Sequence, residues 1–135
     1  MAATIRTFAG KRPELGRGVF LAETCSVIGD VVIGEESSIW YGTVVRGDVM
    51  PIRIGARTSI QDNTVIHVTS DFSGTIIGDD CTVGHAAIIH ACTVEDFCLI
   101  GMGSYTPCAI LAWIHQNTRP KWNSMDRKPQ LKMLN

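Results

Sequence analysis

The stretch "IGARTSIQDNTVIHV", residues 54–68, sets Ile54, Ile60 and Ile66 six residues apart. Thr58 and Thr64 follow the first two of them at the fourth position. An amphipathic helix brings its apolar side chains back about every 3.6 residues, so a period of six is not helical. Six is even, and strand side chains at i, i+2 and i+4 share one face. A short strand with this pattern must then turn, and Gly55 and the small residues permit that. No such strand buries its apolar edge alone, but a stack of them buries a continuous ladder.

The same phase extends in both directions. Upstream it starts at Ile33, Ile39 and Val45, and downstream at Ile77, Val83, Ile89, Val94 and Ile100. The small residues at i+4 read Ser37, Thr43, Thr58, Thr64, Cys81, Ala87, Thr93 and Cys98. Three residues are inserted between Val45 and Ile54 and five between Ile66 and Ile77, whereas Ile28 to Ile33 and Ile89 to Val94 each run one short. An ordinary sandwich of short strands would instead show turn clusters about every 8–12 residues. The expected fold is therefore all-β, a single-stranded parallel β-helix. Three hexads, about 18 residues, make one coil, and coils stack about 4.8 Å apart. Ile54, Ile60 and Ile66 form one coil, and Ile77, Val83 and Ile89 the next. The two insertions are predicted to bulge outward as loops.

One domain is expected over residues 1–135, with the coil over about 10–104 and a divergent, irregular or helical tail over 105–135. Within that tail "AILAWIHQ", residues 109–116, reads as a short helix, and the polar remainder with Pro129 as loosely packed. The abrupt loss of period is what a frameshifted or otherwise altered end looks like. Residues 105–118, or another chain, are expected to cover the last coil, because an uncapped solenoid edge aggregates.

Twelve basic residues stand against 13 acidic ones, which leaves no footprint for nucleic acid or an anionic membrane surface. No apolar run approaches the roughly 20 residues of a membrane helix, and the start has no signal-peptide stretch. The five cysteines, Cys25, Cys81, Cys92, Cys98 and Cys108, are odd in number and form no CxxC pair. They indicate neither a disulfide framework nor a cysteine zinc knot, and a reducing cytoplasm is the expected compartment.

Three of the four histidines lie in the repeat. His67 and His90 both occupy i+1 of the third hexad in adjacent coils, so they stack on one edge. Two imidazoles at that separation can share a metal ion, since zinc takes nitrogen at about 2.0–2.1 Å. A lone strand histidine is ordinarily just a polar residue; the stacking of two makes a ligand pair. His85, at i+2 of the second hexad, leaves on a different face. It can join the pair across a subunit boundary if three prisms pack around a threefold axis, giving three equivalent sites. Three imidazoles and an open fourth position make a catalytic type of zinc site. His115 lies outside the repeat and has no assigned role.

The segments "VIGDVVIGEESSIWYGTVVRGD" (27–48), "IGARTSIQDNTVIHV" (54–68), "TVGHAAIIHACTV" (82–94) and "LIGMGS" (99–104) together resemble the γ-class carbonic anhydrase family, a group of hexapeptide-repeat proteins. The resemblance implies a left-handed β-helix. It implies zinc, in some members iron or cobalt, held by His67 and His90 of one chain and His85 of its neighbour in a homotrimer. It also implies intersubunit contacts by Arg46 and Asp48, and a Gln61–Asp62 pair near the metal-bound water. Gln61 would orient the nucleophile; Asp62 would hold a ligand or meet Arg46. The implied reaction is hydration of carbon dioxide to bicarbonate. Active members carry an acidic loop whose glutamate shuttles protons, and here "RGDVMPIRIG" has no glutamate while "TSDFSGT" offers only Asp71, which points to slow turnover. The alternatives are a metal-stabilised trimeric scaffold without useful turnover and a hexapeptide acyltransferase. The latter needs a catalytic histidine on an extended loop and a coenzyme A groove.

Overall fold

A computed structural model describes residues 2–106 of the chain. Among them there are strands and no helices, and every strand-to-strand pairing is parallel. The strands stack into a three-sided β-helix of about five turns. On the first face Leu15, Ile33, Ile54, Ile77 and Val94 lie in register; on the second, Leu21, Ile39, Ile60, Val83 and Ile100; on the third, Ile5, Val27, Val45, Ile66, Ile89 and Thr106. Ile33, Ile39, Val45, Ile60, Ile66, Val83 and Ile89 are fully buried, so the hexad position is the core. The ladder extends past residues 10–104 at both ends, from Thr4 to Thr106. The expected 109–116 helix and the rest of the tail beyond residue 106 lie outside the described residues.

Two positions differ from the sequence reading. Val27, not Ile28, is the inward residue, so its interval to Ile33 is a full six residues and nothing is missing there. The slot before Val94 is filled by buried Cys92, while Thr93 faces outward. The reason is strand alternation: the inward neighbour of Val94 is two residues back, and the five-residue interval after Ile89 moves the slot from i+4 to i+3.

Six corners after the first and second faces turn through a non-glycine residue at i+3 that takes a left-handed backbone: Glu36 (φ 55°), Arg57 (53°), Asn63 (58°), Asp80 (55°), Ala86 (56°) and Phe97 (60°); after Ile89 that backbone falls instead on Ala91 (50°), at i+2. That conformation costs a non-glycine residue about 1 kcal/mol. It is offset because the i+3 amide donates to a carbonyl in the coil below, as from Arg57 to Glu35, Asp80 to Ala56 and Ala86 to Asp62. The small i+4 side chains serve the same end. Ser37 Oγ donates to the Gly55 carbonyl (2.7 Å) and accepts from the Thr58 amide (3.0 Å); Thr58 Oγ1 repeats this with the Gly78 carbonyl (2.7 Å) and the Cys81 amide (3.1 Å). A hydroxyl there satisfies two buried backbone groups that an aliphatic side chain would leave orphaned.

Both insertions leave the ladder. Gly29 pairs with Gly47 and Val31 with Ile52, so residues 48–51 bulge opposite the single residue Asp30. Residues 69–74 form a loop closed by the Thr69–Ser73 bridge.

Candidate metal centre

The third face creates the centre. Val65–His67 and Ile88–His90 pair in parallel with His67 opposite His90. Their neighbours Ile66 and Ile89 point inward and are fully buried, so alternation sends both imidazoles outward at one corner. Arg46 occupies the equivalent position one coil below, following Val45 as His67 follows Ile66. The insertion after Gly47 then brings Asp48 back over this column.

His67 Nδ1 and His90 Nε2 face each other at 3.2 Å, with ring centroids 5.2 Å apart. The outer nitrogens are occupied. His67 Nε2 meets Asp48 Oδ1 at 2.9 Å, and His90 Nδ1 meets Thr69 Oγ1 at 3.4 Å. A carboxylate only accepts, so His67 carries its proton on Nε2 and presents a lone pair at Nδ1. A proton on His90 Nδ1, donated to Thr69, leaves its Nε2 lone pair facing the same point. In the metal-free chain the 3.2 Å contact is a hydrogen bond from His90 Nε2–H to His67 Nδ1, and a cation that displaces that proton meets both lone pairs at one point. Tetrahedral zinc with nitrogen ligands at about 2.0–2.1 Å separates those nitrogens by about 3.3 Å, so the pair fits the metal.

Asp48 is held from two more directions, by Arg46 NH1 at 2.6 Å and by the Val49 amide at 3.0 Å. Desolvation pushes its carboxyl upward, but the His67 hydrogen bond, the backbone amide and Arg46 outweigh it and hold the group below the usual carboxylate range. Asp48 is therefore an anion at neutral pH. The backbone behind His67 is pinned too, since buried Thr75 Oγ1 donates to the His67 carbonyl at 2.6 Å.

His85 lies elsewhere, as its phase in the repeat requires. It leaves the corner after the second face, half exposed, with Nδ1 2.9 Å from Asp62 Oδ2. Asp62 sits at the same hexad position one coil below, and the Ala86 amide donates to its carbonyl at 2.8 Å. Within the chain Asp62 thus holds His85, and the carboxylate at Arg46 is Asp48. Gln61 precedes it, half-buried, with its amide bonded to the Val83 carbonyl. Among the described residues no group of three His, Cys, Asp or Glu side chains within one chain comes together to hold a metal ion. Two of the three expected ligands are joined and the third is apart; Asp48 backs His67 and Asp62 backs His85, while His90 has the Thr69 hydroxyl beside it. The repeat reading did not reveal Thr69, Thr75 or the direct Asp48–His67 bond. All three residues sit in or beside insertions, where the period gives no phase; a polar residue two positions after His67 was the one available signal.

Comparison with known proteins supplies the relatives. The chain is 53% identical over 106 residues, 75% of its length, to "Gamma carbonic anhydrase 2, mitochondrial" of Arabidopsis thaliana. It is 48% identical over 100 residues, 74% of its length, to "Carbonic anhydrase" of Geobacillus kaustophilus. It spans 38% of the first relative's length and 54% of the second's. A solved structure of a hexapeptide transferase family protein from Anaplasma phagocytophilum superposes with a TM-score of 0.70 at 37% identity, covering 80% of this chain and 74% of that one. No protein-family model matches the chain.

Proposed function

The chain belongs to the γ-class carbonic anhydrase-like family of hexapeptide-repeat, left-handed β-helix proteins, and from that premise we propose that it binds zinc between subunits of a homotrimer and hydrates carbon dioxide to bicarbonate. The observation that carries the reading is the 3.2 Å approach of His67 Nδ1 and His90 Nε2, with Asp48 and Thr69 on their outer nitrogens. His85 of the partner subunit completes the ligand set. Asp62 holds its own chain's His85 for the same service next door.

Zinc, or iron or cobalt in its place, supplies hydroxide at neutral pH by lowering the pKa of coordinated water toward about 7, as known from other carbonic anhydrases. The chain's own residues do the rest. Asp48 fixes the orientation and tautomer of the His67 ring. Gln61 offers its amide to orient the nucleophile toward the carbon of the substrate. Arg46 keeps Asp48 in place and extends toward the subunit boundary. Cys25, Cys81 and Cys98 are buried free thiols, which suits a reducing compartment such as the cytoplasm.

A metal-stabilised scaffold without useful turnover is the second reading. It is favoured by the loops beside the site: residues 48–51 contain no glutamate, and the 69–74 loop has only Asp71 to carry protons. One pair of measurements separates the two. Metal analysis of the purified protein should give about one ion per chain, lost in His67→Ala. Rapid-mixing assay should then show carbon dioxide hydration above free zinc for an enzyme and none for a scaffold. Wild-type protein with far less than one metal ion per chain sinks both.

A further inference from the structure

The outward side chains of the three faces differ in kind. On the first face charged Glu14 and Arg53 interrupt the column, and on the second Ser38, Ser59 and Thr82 fill its middle. On the third face Val44, Val65, Ile88 and Tyr105 stand in register over four consecutive coils, with no charged side chain between them. Val65, Ile88 and Tyr105 are 39%, 41% and 64% exposed. Among the described residues no other column sets three exposed carbon-rich side chains at successive levels. Single exposed apolar residues are ordinary on a protein surface, but a contiguous strip of them marks a contact. The bounds of this strip are equally particular. On one side lies the corner that carries His85 above Asp62, and on the other the corner that carries His67 and His90.

We infer that the column Val44–Val65–Ile88–Tyr105 is the core of the assembly: three copies of the chain turn their third faces to a common axis, and the trimer holds together there without metal. The inference rests on the intersubunit metal reading, which makes the partner a second copy. That reading joins the His85 corner of each copy to the His67–His90 corner of the next. Such a contact pairs two different surfaces, and it closes into a ring when the rotation allows. In a closed ring of three-sided prisms, the face between the two touching corners is the one that looks at the axis. That face is the third, which also carries the apolar strip. The dimensions agree. Six residues at about 3.3 Å make a side of at most about 20 Å, and the centre of a triangle of that size lies about 6 Å from each side. Packed sheets stand about 10 Å apart, so side chains meet about 5 Å from each sheet. The strips of three copies therefore meet on the axis. Burial of apolar surface needs no ion. The corners, by contrast, are polar and already satisfied within each chain, His85 by Asp62 and His67 by Asp48.

Sedimentation velocity of the full chain, stripped of metal by a chelator, is the test. Wild type should sediment as a trimer at micromolar concentration, with or without added zinc. Ile88→Asp should sediment as a monomer. The milder Ile88→Ser should raise the concentration at which the trimer dissociates by about 10-fold or more, and it gives the same reading if aspartate disturbs the fold. Ile76→Asp is the control, the same change at a 51% exposed position of the first face, and should stay trimeric. Circular dichroism checks that each variant keeps its β-helix. A folded Ile88→Asp that remains trimeric, an Ile88→Ser with unaltered dissociation, or an Ile76→Asp that falls apart as readily overturns the inference. So does a wild type that is trimeric only with zinc present, and in that case the metal reading stands. A chelator-resistant trimer that dissociates on Ile88→Asp yet binds no zinc does the reverse: the metal reading fails and the apolar axis stands.

Discussion

The residue after the inward aliphatic side chain is glycine at four levels of the first face, Gly16, Gly34, Gly55 and Gly78, and Arg6, Ile28, Arg46, His67 or His90 on the third. The positions are equivalent in phase, and their contents are set by what lies above. On the first face the turns are tight, so the next coil's backbone covers each position. A Cβ on Gly55 would lie 2.5 Å from the Gly78 carbonyl carbon, and one on Gly34 2.5 Å from the Ala56 amide nitrogen. On the third face two of the turns carry inserted residues that leave the ladder, and side chains have room to project. The fold thus uses one face to close the stack and leaves a neighbouring one open for chemistry. Its stability and its proposed function are carried by the same hexad position on different edges.

That division can be attacked directly. Gly55→Ala should have the largest effect, about 3 kcal/mol or more of lost stability, because the atom it would strike is backbone; urea unfolding measures it. His67→Ala should leave the apo midpoint within about 0.5 kcal/mol while weakening zinc binding more than about 100-fold, seen by chelator competition. A large loss of apo stability in this variant would break the comparison.

Alkali should act on the core and not on the column. Burial, foremost, pushes the Cys81 thiol from 9.0 up to about 11. A group whose folded pKa is raised contributes its full stability below its unfolded pKa and loses it as pH climbs through the folded value. Stability should therefore be flat below about pH 9 and drop by about 2 kcal/mol as pH approaches 11, less steeply in Cys81→Ser. Smaller still is Asp48→Asn, which removes the anion behind His67 but not its hydrogen-bonding shape. Zinc affinity should fall about 10-fold, with little change in the apo melt. The smallest change is expected from Arg57→Ala. Its paired bonds to Asp80, 3.1 and 3.0 Å, are partly exposed on the corner of the first face, so about 0.5 kcal/mol is at stake in thermal melting.

The fold was legible because one hexad says the same thing as the next. Repetition averaged out single ambiguous residues, and counting from Ile54 placed His67 beside His90 with no structural help. It failed where the averaging stopped: at Ile28, where two adjacent aliphatics compete for the inward slot, and after Ile89, where a shortened interval exchanges Thr93 for Cys92. The site was half legible for the same reason. Ligand residues inside the hexads had a phase; Asp48 and Thr69, in the insertions, had none.

By itself, then, the amino-acid order determined the winding of the chain, the stacked histidine pair and the separate edge of His85, since all of these follow from counting residues along a strand of period two. The tertiary structure alone decided which nitrogens face each other, that Asp48 backs His67, and that Asp62 attends the His85 of its own chain. Those outcomes depend on where irregular segments return to the surface, and a loop's path is fixed by contacts made across coils, which no local spacing encodes.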